Sequence, residues 1–432
     1  MLKKAIDLAV RENLFITGGA GVGKSFLLVQ MCRFFSENNR KTALLASTGI
    51  AAVGIGGMTL HRFFLFGVCK NLEELSRHDG KKYVKQELPK RLELIRELDL
   101  IAIDEISMVS ADLMEMIESR LIRSGFAGKI ALCGDFYQLP PVRERVLKRE
   151  ARLFDNGFYA FESGFWERLR LKTLTLFEPK RADDPAFAVF LNNLRRGEIG
   201  GEDERLLRIY ASQREVLKID PTHLFATNAE ADALNARRLG EIDAKEHTIR
   251  AEVEVSKEAD AAIAENFIKT LTTPLILTVK IGARVLFTVN EGELFYNGER
   301  GIVEAVEKDG IAVVKDNGEY VMVTPHIFKL EDAGERTLVR ITQFPLRLAW
   351  AITIHKSQGM SIAPLVVNTD RLFEAGQLYV ALSRSSNPTM LYIQSSKDPI
   401  AAAKRSIKPN ETVARFYESI ERASQTNVLP TL

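Results

Sequence analysis

Residues Gly18-Gly-Ala-Gly-Val-Gly-Lys-Ser25 constrain this chain more than any other stretch. They satisfy the pattern G-x-x-x-x-G-K-[ST], with Gly18, Gly23, Lys24 and Ser25 at its fixed positions. Glycines let a backbone bend tightly and turn its N–H groups toward a phosphate. The apolar run Leu14-Phe15-Ile16 before the loop reads as a buried strand, and Phe26 to Phe35 after it as a helix. A helix that begins at the loop turns its positive end toward the same anion. Lys24 then reaches the β- and γ-phosphates, and the Ser25 hydroxyl ligates Mg²⁺. The nucleotide-binding set is Gly19, Ala20, Gly21, Val22, Gly23, Lys24, Ser25 and Phe26. A glycine-rich turn that binds nothing would not need the strand and helix on its two sides.

A second nucleotide element follows from the run Leu98-Asp-Leu-Ile-Ala-Ile103, which ends in Asp104-Glu105. Strand ends carry ligands in parallel α/β sheets. Asp104 is suited to hold Mg²⁺ and Glu105 to polarise an attacking water as general base. An acidic N-cap for the next helix would account for one carboxylate only. Lys129-Ile-Ala-Leu-Cys-Gly-Asp135 is a further apolar strand, and Gln138 just beyond it can bond both a γ-phosphate and a water. Thr42 to Ser47 adds another strand. It leads into a small-residue stretch where Thr48, Thr59 and His61 supply donors; a plain strand-to-helix connection reads equally well there. Strands alternating with helices after a phosphate loop give a parallel sheet of the kind shared by P-loop ATPases.

The chain has 432 residues, enough for two to four domains. Its net charge is only +2, so any nucleic-acid surface must be a local groove. Cys32, Cys69 and Cys133 lie in no metal-ligand spacing and suggest free thiols in a reducing compartment. No apolar run is long enough to span a bilayer, and the loop begins too early to leave room for a removable leader. Cytoplasm, bacterial or viral, is the expected location, with no membrane partner. From Gly67 to Arg91 the composition turns charged, which reads as a small, largely solvated insertion. Beyond about residue 175 a second α/β unit begins. Between Glu252 and Thr342 short strands with turns at Asn297-Gly298, Asp309-Gly310 and Asn317-Gly318 read as an inserted β-barrel. The helical and parallel pattern returns with Trp350 to Met360, and an amphipathic helix, Thr412 to Ala423, closes the chain.

These motifs, with Ile352-Thr-Ile-His-Lys-Ser-Gln-Gly-Met360 and Gly376-Gln-Leu-Tyr-Val-Ala-Leu-Ser-Arg384, closely resemble the petite-integration-frequency (PIF-type) DNA helicases. That family belongs to superfamily one, moves from five-prime to three-prime and has RecD as a relative. The resemblance covers nearly the whole chain. It implies an α/β fold of two RecA-like P-loop NTPase domains with parallel sheets. A small insertion interrupts the first and an SH3-like β-barrel insertion the second. The implied boundaries are 1–62 and 92–175 for the first domain, with 63–91 inserted. They are 176–245 and 343–432 for the second, with 246–342 inserted.

Residue by residue, the resemblance implies catalytic roles for Lys24, Glu105, Gln138, Arg181 and Arg384. The two arginines reach the γ-phosphate from the second domain. Gly359 lies near the nucleotide, and Ser25 and Asp104 hold the metal. Thr48, Thr59, His61, Phe63, Thr353, His355 and Ser357 match positions that grip single-stranded DNA. The implied cofactors are ATP and Mg²⁺. The implied partners are single-stranded DNA, tailed or forked duplexes and four-stranded guanine structures, met by a monomer in replication, repair, recombination or telomere maintenance. The family's adenine-reading glutamine has no clear counterpart, which leaves base specificity open. Two rivals stand beside the motor: an ATP-hydrolysing clamp that only binds DNA, and a P-loop enzyme acting on a small molecule.

Overall fold

Six strands build the first sheet: β1 (Leu14–Gly18), β2 (Thr42–Ala46), β3 (Met58–Thr59), β4 (Leu100–Asp104), β5 (Lys129–Cys133) and β6 (Lys172–Leu176). The computed structural model describes residues 1–67, 69–141, 157–177, 184–256, 264–265, 267–268, 271–331, 337–407 and 410–426. The six strands run parallel in the order β3-β2-β4-β5-β1-β6. Every residue of β1 and β4 is buried, as a parallel sheet covered on both faces requires. Alternation divides the strands between two cores. Leu14, Ile16, Leu100 and Ala102 pack with the stripe Leu28, Met31 and Phe35 of the helix Lys24–Glu37. Phe15, Ile101 and Ile103 face the other way, toward Phe136, Met114 and Ile117. Because the strands are parallel, Gly18, Asp104 and the turn after Cys133 emerge at one edge.

The charged segment expected as an insertion at 63–91 is tied into this domain more closely than its composition implies. Phe63, Phe64 and Phe66 are buried in the first core. The helix Lys82–Arg96 runs across the expected boundary at 91. Arg120, fully buried, grips Asp79 with both terminal nitrogens at 2.7 Å and donates from Nε to the Phe64 carbonyl at 2.9 Å. The boundary at 175 likewise falls inside β6, which pairs with β1.

The second sheet starts with β7 (Thr222–Phe225) and is interrupted by a β-rich excursion. That excursion holds β8 (Glu246–Arg250), β9 (Glu252–Val255), β10 (Ile276–Lys280), β11 (Arg284–Phe287), β12 (Arg300–Val306), β13 (Ile311–Lys315), β14 (Tyr320–Val323), β15 (His326–Glu331), β16 (Thr337–Gln343) and β17 (Leu346–Leu348). These form antiparallel sheets of two, five and three strands around one core that includes Phe287, Val313 and Trp350. Asp309-Gly310 joins β12 to β13 and Asn317-Gly318 joins β13 to β14, as their turn chemistry predicts. β17 pairs with β11, so the excursion extends past the expected limit of 342. The chain then completes the second sheet with β18 (Ala351–Thr353), β19 (Leu365–Asn368) and β20 (Leu391–Gln394), all parallel in the order β18-β7-β19-β20. The stretch Trp350 to Met360 is therefore a short strand followed by turns rather than a helix.

The closing helix, Glu411–Thr426, does not belong with the second sheet, although the range 343–432 was expected there. Val413, Phe416, Tyr417 and Ile420, spaced to share one face, enter the first core. The Phe416 ring lies 4.1 Å from Phe161 and 5.3 Å from Phe136, and Tyr417 stacks on Tyr137 at 4.9 Å. Among the described residues no helix is long and apolar enough to cross a membrane.

Candidate active site

The phosphate loop bends through Gly18, Gly21 and Gly23, all at positive φ. A Cβ at Gly18 would lie 2.3 Å from the Leu176 carbonyl oxygen, so only glycine fits between β1 and β6 there. The helix Lys24–Glu37 starts at once and has no side-chain cap. Its first N–H groups are therefore directed at the cavity rather than at a neighbour. Lys24 Nζ donates to the Gly18 and Gly19 carbonyls at 3.0 and 2.8 Å, folded back over its own loop. Val22 turns its side chain into the core and offers the site only its main chain.

Asp104 is buried at the end of β4 and hydrogen-bonded to the Ser25 hydroxyl. Its Oδ1 also accepts from the Glu105 amide at 2.9 Å. Burial pushes the Asp104 carboxyl up, against the pull of these bonds and of Lys24. Glu105 holds a left-handed backbone, φ 53°, a conformation that a non-glycine residue keeps only under constraint. The Ser47 hydroxyl bonds its carbonyl at 3.0 Å. Burial and then the Asp104 charge push the Glu105 carboxyl up to about 7, while Lys24, Arg384 and Gln358 draw it down. A hydroxyl and a carboxylate brought together beside a phosphate loop are donors that suit a hard cation such as Mg²⁺.

One cavity of about 890 Å³ gathers both sides of the cleft. Lys24, Ser25, Phe26, Asp104, Glu105 and Gln138 line it from the first domain, and Gly359 and Arg384 from the second. Arg384 is buried, with Nε on the Val380 carbonyl at 3.0 Å and Nη2 on the Ser383 hydroxyl at 2.8 Å. Arg181 lies outside the described residues. The same cavity continues past Thr48, Thr59, His61 and His355 to Tyr83 of the first insertion and to Asn290, Asn297 and Lys329 of the second.

The strand-contact residues divide. Thr48 and Thr59 reach the cavity while capping the short helices that follow them, accepting from Ala51 and Arg62 amides. His61 is half-buried, and burial pushes its pKa down. His355 is half-exposed and meets Glu374 at 3.3 Å. Phe63, by contrast, is a core residue, packed at 4.9 Å on Phe64 and under the Arg91 guanidinium. It offers no face on which a base could stack. Thr353 and Ser357 are also buried. Thr353 accepts from the Lys356 amide at 3.4 Å and Ser357 donates to the Ile354 carbonyl at 2.8 Å, so their hydroxyls brace the turn instead of meeting a strand.

Gln358 was not among the expected residues. Its Nε2 donates to Glu105 Oε2 at 3.1 Å, bonding the second domain directly to the carboxylate beside the phosphate loop. Asp135, Arg195, Tyr379 and Tyr417 form a further buried cluster that the motifs alone did not single out. The signal was present in Gly134-Asp135, since a carboxylate at a buried strand end needs a partner.

A phosphate loop facing an arginine from a second parallel sheet, with a channel between two insertions, is the architecture of a P-loop helicase. The sequence model described as PIF1-like helicase matches residues 2–205. A relative from Campylobacter jejuni, named ATP-dependent DNA helicase Pif1, is 40% identical over 419 residues and covers 92% of each chain. One of the same name from Bdellovibrio bacteriovorus is 34% identical, covering 95% of this chain and 89% of its own. The crystal structure of a Bacteroides Pif1 with ADP-AlF4 superposes with a TM-score of 0.79 at 28% identity, over 98% and 96% of the two chains. A Bacteroides Pif1 bound to single-stranded DNA superposes at 0.69 and 27% identity, over 98% and 97%. The chain belongs to the PIF1-like helicase family and is an ATP-dependent DNA helicase.

Proposed function

We propose that the chain moves from five-prime to three-prime along single-stranded DNA and displaces the strand it meets. One observation carries the mechanical part of this reading: the nucleotide residues and His61 and His355 line one continuous cavity, and Gln358 bonds Glu105 across it. The direction rests on family membership. Lys24 balances phosphate charge, Glu105 takes the proton of the attacking water, and Gln138 bonds the γ-phosphate. Ser25 and Asp104 would hold Mg²⁺, which would supply charge neutralisation at the phosphates. Arg384, with Arg181, meets charge that develops in the transition state. Closing the cleft around ATP and opening it after hydrolysis moves two grips along the strand. Both faces of the nucleotide site come from one chain, which supports action by a monomer. Forked duplexes are the natural substrates, and four-stranded guanine structures are included because such barriers also yield to a strand-pulling motor.

The test is strand displacement on duplexes matched in length that carry only a five-prime or only a three-prime tail, with ATP, Mg²⁺ and excess trap strand. Displacement is expected from the five-prime tail alone, with hydrolysis on both. Preference for the three-prime tail would overturn the direction, and hydrolysis without displacement would leave a clamp.

A further inference from the structure

Donors converge on the Asp135 carboxylate in the turn after β5. Arg195 Nε approaches its two oxygens at 3.0 and 2.9 Å, and Nη2 approaches Oδ1 at 2.8 Å. The Tyr379 hydroxyl donates at 3.2 Å, the Tyr417 hydroxyl at 3.4 Å and the Tyr137 amide at 3.2 Å. The carboxylate is fully buried and the Arg195 side chain is 8% exposed. Burial pushes the Asp135 carboxyl up, but the Arg195 charge and hydrogen bonds outweigh it and hold the group ionised. An ion pair buried this deeply is weak evidence for stability and more readily fixes one arrangement of the parts it joins.

The parts joined here are distant in sequence. Arg195 ends the helix Pro185–Arg196, Tyr379 sits in the helix Gln377–Leu382, and Tyr417 lies on the closing helix. Tyr379 also makes a second bond. Its hydroxyl accepts from the Ala20 amide at 2.6 Å, inside the phosphate loop. A phenol can donate and accept at once, so this one oxygen links the loop to Asp135. Arg384 follows the same short helix, with its amide on the Ala381 carbonyl at 3.2 Å and Nε on the Val380 carbonyl at 3.0 Å. The Tyr379 hydroxyl thereby connects Ala20 to the short helix that leads into the turn carrying Arg384.

We propose that Tyr379, held by Asp135, is a positioning residue that ties the crown of the phosphate loop to the helix that leads into Arg384, so that occupancy of the loop sets where Arg384 stands. The inference rests on the assignment of Arg384 above and adds how the arginine is placed. Tyr379→Phe keeps the buried ring and removes both bonds. Tyr417→Phe removes a hydroxyl from Asp135, from Thr17 at the end of β1 and from the Phe136 amide, but none from the loop Gly18 to Ser25 itself.

The experiment measures single-strand-stimulated ATP turnover and ADP affinity for the full chain and both variants. Tyr379→Phe is expected to lower kcat by about fivefold or more, the low end of ordinary site-to-site coupling, while ADP affinity and the whole Tyr417→Phe profile stay within about twofold. An unchanged kcat in Tyr379→Phe overturns the proposal. So does a parallel loss of ADP affinity, which would make the hydroxyl a mere support for the loop, or an equal fall in Tyr417→Phe. Arg384→Ala assayed alongside separates the two readings. Full turnover in Arg384→Ala refutes the arginine's role, whereas slow Arg384→Ala with normal Tyr379→Phe refutes the tie alone.

Discussion

Lys24 bonds two carbonyls of its own loop, so its ammonium is already held where a phosphate oxygen would replace a carbonyl. Lys24→Ala removes that charge without touching the core. ATP turnover is expected to fall by about 10² to 10³, the usual effect of deleting one preorganised donor to developing charge. Near-normal turnover in a variant with native circular dichroism would refute the assignment. In the proposed role Arg384→Ala should act differently, because a contact made only in the transition state changes turnover and not binding. A loss of about 10³ or more in kcat is expected, as for arginine fingers, with a fluorescent ATP analogue bound nearly as before. Loss of analogue binding in step with turnover would remove the finger role. The place of Lys24 and Ser25 on the cavity wall was legible in sequence because a phosphate loop carries its geometry locally: glycine, lysine and serine need few neighbours to be understood. Phe63 was not legible. It sits on a four-residue helix, too short for a period to reveal which way an aromatic faces, and the core claimed it.

Among whole elements, the closing helix shows where sequence reading stops. Val413, Phe416, Tyr417 and Ile420 mark an apolar face plainly. The period says that a face is buried but not against which sheet, and the nearest sheet in sequence was the wrong one. The partner is a cluster of rings, Phe15, Phe136, Phe161 and Trp166, drawn from separate parts of the first domain. Phe416→Ala should therefore destabilise the first domain by about 2 kcal/mol, below the ~3–5 of a fully buried phenylalanine because Phe416 is only half-buried. Urea unfolding followed at Trp166 would register the loss. An unchanged midpoint there would mean that the helix contributes nothing to the core it covers. The β-rich excursion was legible for a contrasting reason, since its Asp-Gly and Asn-Gly turns fix hairpins by local chemistry. Its end was not, because β17 is distinguished only by pairing with β11.

At the scale of the whole molecule, the two sheets and the excursion are joined by polar contacts and by apolar ones, with Leu139 of the first domain and Leu286 of the excursion packed in the core of the second sheet. Asp135 with Arg195, Tyr379 and Tyr417 joins the sheets. Arg284 reaches Asp220 at 2.5 Å, and Arg300 reaches the Thr222 hydroxyl at 3.0 Å, which joins the excursion to the second sheet. Separating a body from the rest returns crossing side chains such as Leu139 and Leu286 to water, so separation is penalised. The chain should consequently unfold as one cooperative unit despite its separate cores. Its two tryptophans make this measurable: Trp166 reports the first core and Trp350 the core of the excursion. Trp166→Phe and Trp350→Phe each leave one reporter. Both reporters are expected to give the same denaturant midpoint, and both midpoints should rise together when a non-hydrolysable ATP analogue is added with Mg²⁺. Mass action sets the size at about 2.7 kcal/mol when the analogue stands at 100 times its Kd. The shared rise is the informative part, because the residues assigned to the nucleotide, Lys24, Ser25, Asp104, Glu105 and Arg384, are none of them in the excursion's core. If Trp350 unfolds at its own midpoint, or ignores the analogue while Trp166 responds, the junctions do not carry nucleotide binding across the molecule.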